Sequence, residues 1–309
     1  MSTAELSAPR DGAPASAGGV ALARQARPRN GVLTWLRLLG SELRLMFRRW
    51  RNLALLGVLV VLPVILGIGL RISMPHGGGG GGGDGPGASF FAQLAGNGVF
   101  LSFLALTILL TLVLPLVMAV VSGDSIAGEA GLGTLRYLLT VPAGRTRLLS
   151  VKYVAVVIFG LAACLLVSAV SLIMGAILFP IGPVTLLSGT TVSLADGLLR
   201  LLFVTLYVAA GMAALAAIGL AISTLTEHPI GAIAAVLVLA VASEVADNVA
   251  QFAVIHPYLP THFWLSFDSL LRVPVDTTSL LHGLLSFGAY IVIFGSLAWA
   301  RFTSADVTS

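Results

Sequence analysis

Glu244 and Asp247 lie three residues apart at the end of an otherwise uncharged apolar run, a spacing that brings both carboxylates to one face of a helix. Acids at membrane depth meet cationic substrates or carry protons, whereas acids at a helix end mark the interface, and the two residues allow either reading. The five histidines, His76, His228, His256, His262 and His282, show no H-E-x-x-H pair or other close ligand spacing, so no metal site is expected. Lys152 is the only lysine and Val151 precedes it, so the phosphate loop G-x-x-x-x-G-K-[ST] cannot be assembled. Nucleotide hydrolysis by that route is thereby excluded, and ATP-driven work requires a separate polypeptide. Cys164, the only cysteine, falls inside an apolar run, which suits a small packing residue and excludes an intramolecular disulfide. No catalytic, cofactor-binding or metal-ligating set is expected, nor a nucleic-acid partner.

The elements that position these residues belong to a membrane. The chain of 309 residues is 57% hydrophobic and 10% charged, with a mean hydropathy of +1.01, values a soluble domain rarely reaches. Crossing a hydrocarbon core takes about 20 apolar residues in a helix. Six runs qualify, near Leu53–Leu70, Val99–Val121, Tyr153–Phe179, Leu201–Ile222, Ile230–Val245 and Leu284–Ala300, and Glu244 is the only charge within them. For the short fifth and sixth runs, a buried or re-entrant helix is the alternative. The short alternating strands of a β-barrel are not evident. The fold class expected is an all-α integral membrane protein, a six-transmembrane-helix bundle with an N-terminal amphipathic interfacial helix. Pro63 and Pro115 are expected to bend spans one and two. Ala210, Ala214, Ala217 and Ala221 form a small-residue stripe that admits a neighbouring helix, within the chain or across a dimer.

Positive charge sets the orientation. With the N-terminus inside, 14 of the 17 Lys and Arg residues are cytoplasmic and only Arg71, Arg200 and Arg272 fall outside, so both termini are expected in the cytoplasm. Residues 1–30 read as a disordered basic tail. No apolar signal core follows the start closely, so the N-terminus is expected to be retained. Residues 31–52 read as the interfacial helix, with Leu36, Leu39, Leu43, Phe47 and Trp50 opposite Arg37, Ser41, Arg44, Arg48 and Arg51. Residues 53–300 form the transmembrane domain and 301–309 a cytoplasmic tail. Between spans, the glycine tract from Gly77 to Gly87 is an external linker, and little is expected to fold between Pro180 and Leu199. The external segment 246–283, with its prolines and aromatics, reads as short interfacial helices capping the bundle.

The informative stretch is the loop 123–152, where Asp124 and Glu129 precede Gly133-Thr134-Leu135, then Leu138, Leu139, Pro142, Arg145 and Lys152 at the start of span three. Gly133 permits a sharp turn, Thr134 can cap a helix, and the three leucines give that helix an apolar stripe. Such a stripe seeks a protein partner, or dips into the membrane with Arg136, Arg145 and Arg147 on lipid phosphates. The order of these residues resembles the permease subunits of ABC-2 type transporters, as do the amphipathic helix, the six spans and the Pro260-Thr261-His262-Phe263 segment. The loop carries less charge around Glu129 than that family often shows.

The resemblance implies a coupling helix seated in an ABC ATP-binding subunit, two copies of which hold ATP and Mg while this chain binds no cofactor. It implies a homodimer or heterodimer with a second permease in the cell (inner) membrane. It further implies export of a hydrophobic or amphipathic substrate such as a drug, lipid, peptide or glycan. An ion-gradient-driven secondary transporter is the alternative; it requires charges deep in several spans, which are not evident. An anchor or intramembrane hydrolase lacks, respectively, a need for six spans and a catalytic constellation.

Overall fold

The computed structural model describes residues 31–73, 97–131, 144–186 and 188–304. Its helices are α1 (Gly31–Arg48), α2 (Trp50–Ser73), α3 (Phe100–Thr111), α4 (Val113–Gly131), α5 (Arg145–Leu178), α6 (Leu194–Ser223), α7 (Pro229–Asp247) and α8 (Thr277–Ser304). Six of them are long and apolar enough to cross a membrane. In lipid the backbone has only its own chain for hydrogen bonding, so apolar runs of this length become helices. Each expected span has its helix, and the ends run a few residues beyond the apolar core.

The two prolines behave differently. Pro115 has no N–H for the Thr111 carbonyl, and the second span breaks there into α3 and α4, with Leu112 between them at φ −141° and ψ −45°. Pro63 is buried in α2, which continues through it from Trp50 to Ser73. Helix α5 has 34 residues, roughly 51 Å, against a hydrocarbon core of about 30 Å. Its first turns therefore project past the apolar layer, and α4 likewise continues to Gly131. The expected loop 123–152 is thus helical at both ends, with no proline in 124–131 or 145–152 to interrupt the ladder. The tail 1–30, the glycine tract and residues 305–309 lie outside the described residues.

Helix α6 is the centre of the bundle, packed by α4, α5, α7 and α8. From Gly211 to Ala221 every side chain is buried, and most are Ala or Gly. Ala214, Ala217 and Ala221 of the small-residue stripe are therefore used inside the chain. Without water between helices, van der Waals contact and close backbone approach hold them together, which small residues allow. The outer faces of α2 and α8 remain apolar and exposed, for example Ile65, Ile72, Val292 and Ile293, as a lipid boundary requires.

At one end of the bundle, where α5 finishes and α6 begins, the chain folds more than expected. A two-stranded hairpin pairs β1 (Val184–Thr185) with β2 (Thr191–Val192), Val184 opposite Val192. Gly189, at φ 79°, makes the turn. Asn97 secures it by donating to the carbonyls of Gly182 and Pro183 at 2.5 and 3.0 Å, and Val184 and Leu186 are buried beneath. Single-residue turn signals do not reveal such an anchor from a residue more than 80 positions away. Three 3-10 helices (Ala250–Phe252, His256–Tyr258, Trp264–Leu271) cap the same end, with Trp264, Phe267 and Leu271 buried. Tyr207 donates to the Phe263 carbonyl at 2.8 Å, and Arg200 and Tyr290 donate to the carbonyls of Leu270 and Tyr258. Asp276 caps α8, and its bonds from the Ser279 hydroxyl and from the Ser279 and Thr278 amides hold its carboxyl below the ordinary range.

Two glycines separate packing from propensity. A Cβ on Gly175 would fall onto the Gly98 carbonyl oxygen, whereas one on Gly295 would meet nothing within 4 Å. Gly175→Ala is expected to destabilise by about 1–3 kcal/mol. Gly295→Ala is expected to be neutral or to stabilise by about 0.5–1 kcal/mol. Thermal unfolding in detergent micelles measures both.

Candidate functional site

The opposite end of the bundle carries a junction of six charges. Helices α1 and α2 are separated only at Arg49, yet the ladder nearly continues, with Arg49 N donating to Leu45 O and Leu53 N to Arg49 O at 3.1 and 3.0 Å. Asn52, buried, staples the bend by donating to the Met46 carbonyl at 2.9 Å. This geometry turns Arg49 and Arg51 toward α4, where each guanidinium donates to Asp124 Oδ2 at 2.6 Å. Asp124 has room because residue 128 is glycine: a Cβ there would lie 2.5 Å from the carboxylate.

The second half of the junction centres on Lys152. Its ammonium donates to Glu129 of α4 at 2.5 Å and to Glu42 of α1 at 3.4 Å, and its side chain is 3% exposed. Among the described residues three cations and three carboxylates thus meet where α1, α2, α4 and α5 converge. Charges at a membrane boundary are costly unless paired, and here each acid has a base within reach. Helix α1 lies along α5, with Leu39 against Val151 and Ala155, Phe47 tilted against Phe159 with ring centroids 5.1 Å apart, and Trp35 donating to Ser150 at 3.1 Å. Leu36 of α1 and Trp50 at the start of α2, expected on the same apolar face, are exposed, so that face is only partly covered by protein.

Ser223 at the end of α6 locks α4 beside this junction. Its hydroxyl donates to the Gly123 carbonyl at 2.7 Å and accepts from the Ile126 and Ala127 amides at 3.1 and 2.9 Å. Gly123 allows α7 to approach, since a Cβ there would sit 2.9 Å from the Ile233 backbone. The start of α5 is tied to the end of α8: Arg145 donates to the Thr303 carbonyl at 2.9 Å and Trp299 to Thr146 at 3.0 Å. Ile126, Leu148, Leu149, Leu220, Ala298 and Phe302 pack below. Both ends of the segment 132–143 are therefore built into rigid parts of the bundle.

Of the residues singled out in the sequence, Asp124, Glu129 and Lys152 meet in this junction and Arg145 stands at the start of α5. Gly133, Thr134, Leu135, Leu138, Leu139 and Pro142 lie outside the described residues. Glu244 and Asp247 sit at the other end of α7, whose 19 residues span roughly 28 Å. There Asp247 Oδ1 holds His262 Nδ1 at 2.6 Å, with His256 at 3.9 Å, and Ser243 and Thr261 share a buried bond of 2.8 Å. Among the described residues no group of His, Cys, Asp and Glu forms a metal site.

Sequence reading missed Glu42, Arg49, Arg51 and Ser223 as partners, and His256 and His262 as neighbours of Asp247. The signal for the first three was that acids flanking apolar spans are few and each needs a counter-charge. Ser223 carried none.

Arg49 and Arg51 are each about half exposed, so Arg49→Ala or Arg51→Ala alone is expected to cost at most about 1 kcal/mol. The double variant strands Asp124 and is expected to cost more than the sum of the two. Lys152→Met, which leaves Glu129 and Glu42 without their cation, is expected to cost roughly 3–5 kcal/mol. Unfolding of the three variants beside wild type in detergent gives these differences.

Comparison with curated proteins finds no match. Residues 90–243, which run from before α3 to the last turn of α7, match the family model described as ABC-2 family transporter protein. The matched region contains Asp124, Glu129, Arg145, Lys152, Ser223 and the segment 132–143, and with six helices long and apolar enough to cross a membrane the chain belongs to the ABC-2 family of transporter proteins.

Proposed function

We propose that this chain is the permease of an ATP-driven exporter, and that residues 132–143 form the contact through which a separate ABC ATP-binding subunit moves the bundle. The observation that carries the reading is the junction at both ends of that segment. Glu129 on α4 and Lys152 on α5 are joined to each other and, through Glu42, to α1. A push on the segment therefore reaches α1, α2, α4 and α5 together rather than bending a loop. Leu135, Leu138 and Leu139 supply the apolar anchor for the partner, with Gly133, Thr134 and Pro142 beside them in sequence.

In this reading the charged end is cytoplasmic, with both termini, in agreement with the excess of Arg on that side. ATP and Mg reside on two copies of the partner subunit. Two permeases, identical or not, rock against each other to open a path for a hydrophobic or amphipathic molecule. Glu244 and Asp247, at the far end of α7, are placed to meet cargo as it leaves, with His262 on Asp247.

Two measurements test this. Leu135→Asp and Leu138→Asp are expected to weaken co-purification of candidate ABC ATP-binding subunits by about tenfold or more, and Glu244→Gln to leave it unchanged. Equal recovery from all four proteins would refute the coupling role. Because the native Cys164 is buried, an introduced cysteine reports cleanly. A membrane-impermeant maleimide applied to intact cells is expected to label Ser188→Cys, and to reach Thr146→Cys only after permeabilisation; the reverse pattern would invert the topology.

A further inference from the structure

The part of α4 that carries two of the junction's acids is made of poor helix formers. Residues 122–131 read Ser-Gly-Asp-Ser-Ile-Ala-Gly-Glu-Ala-Gly, whereas 113–121 before them are apolar throughout. Glycine weakens a helix through backbone entropy, and serine and aspartate draw the backbone into bonds with their own side chains. Ser125 does so here, donating to the Ser122 carbonyl at 2.7 Å. The stretch has one large apolar side chain, Ile126, to hold it by packing.

Better helix formers would not fit in place of the glycines. A Cβ on Gly123 would lie 2.9 Å from the Ile233 amide nitrogen, one on Gly128 2.5 Å from Asp124 Oδ1, and one on Gly131 3.0 Å from the Glu227 carbonyl oxygen. The residues that let α7 and the turn before it come close therefore leave this part of α4 with little helical stability of its own. What it lacks locally comes from α6. Ser223 is 1% exposed, and its one proton and both oxygen lone pairs are engaged by Gly123, Ile126 and Ala127 of α4.

We propose that residues 122–131 open and close as a unit separate from the rest of α4, and that Ser223 is the positioning residue that keeps the unit helical. Closed, it sets Asp124 beside Arg49 and Arg51 and Glu129 beside Lys152. Open, it releases those acids while 113–121 stay packed in the apolar bundle. The opening itself does not depend on the role of residues 132–143. Its consequence rests on that reading: with the unit open, a push on the segment no longer reaches α1 and α5 through Glu129 and Lys152.

Amide hydrogen exchange of the full-length chain in detergent micelles, read by mass spectrometry, tests the proposal because it reports local opening directly. In wild type, residues 126–131 are expected to exchange at least about tenfold faster than 116–121. Ser223→Ala is expected to accelerate 126–131 a further tenfold or so, while 116–121 and 204–217 keep their wild-type rates and so verify the fold. Ser223→Cys, close in size but a weaker donor and acceptor, is expected to fall between the two. Uniform exchange along α4 in wild type, an unchanged rate at 126–131 in Ser223→Ala, or full protection in Ser223→Cys, which would mean packing rather than hydrogen bonding, would overturn the proposal. None of these readings involves an ATP-binding subunit, so a failed coupling role and a failed opening unit are separate results.

Discussion

Pairing of buried charges at one end of an apolar bundle is the constraint on which the rest of this structure depends. Lys152 is almost fully enclosed, and its ammonium is tolerable there only because Glu129 and Glu42 both approach it. Asp124, itself largely buried, is tolerable because two guanidiniums converge on one of its oxygens. These bonds cannot form unless α1 lies along α5, the α1–α2 bend turns two arginines inward, and α4 keeps its helix well past the apolar core. The architecture of four helices is thus coupled to the satisfaction of six side chains.

Small residues supply the precision that this arrangement needs. Between helices in lipid there is little hydrophobic gain, so contact distance decides stability. Gly219 accepts Ser122, Gly123 accepts the α7 backbone, and Ala214, Ala217 and Ala221 fill the centre without side chains that push neighbours apart. Ser223 exploits the same closeness, reaching from α6 to three backbone groups of α4. The result is an end of the bundle in which helices are locked pairwise by polar bonds, and an outer surface, on α2 and α8, that stays apolar for lipid. Under the proposed coupling, that locked end is what a partner subunit would move as a body.

The far end follows a different logic. Its connections are held by bonds from the spanning helices and their ends: Asn97, just before α3, to the hairpin, Tyr207 and Arg200 of α6 to Phe263 and Leu270, and Ser243 of α7 to Thr261. Short elements of this kind cannot fold alone, and they take their shape from the helices that grip them. This explains why the stretch after Pro180 reads as unstructured yet forms a paired hairpin.

Much of the fold was legible in the amino-acid order, because a membrane imposes simple rules. Length of apolar run, absence of charge and helical hydrogen bonding together determine six spans, the amphipathic α1 and the break near Pro115, and the missing phosphate loop follows from a single lysine. The acids and the lysine of the site were also legible as residues of consequence, through the order of Asp124, Glu129, Arg145 and Lys152. Their partners were not. Glu42 is 110 positions from Lys152 and Arg49 is 75 from Asp124, and local patterning says nothing about which distant helix supplies a counter-charge. Ser223 looked like any helix-ending serine until tertiary packing placed it against α4. Helix formation is a short-range property that period and composition encode, whereas charge pairing depends on how helices cross, and only the packed bundle decides that.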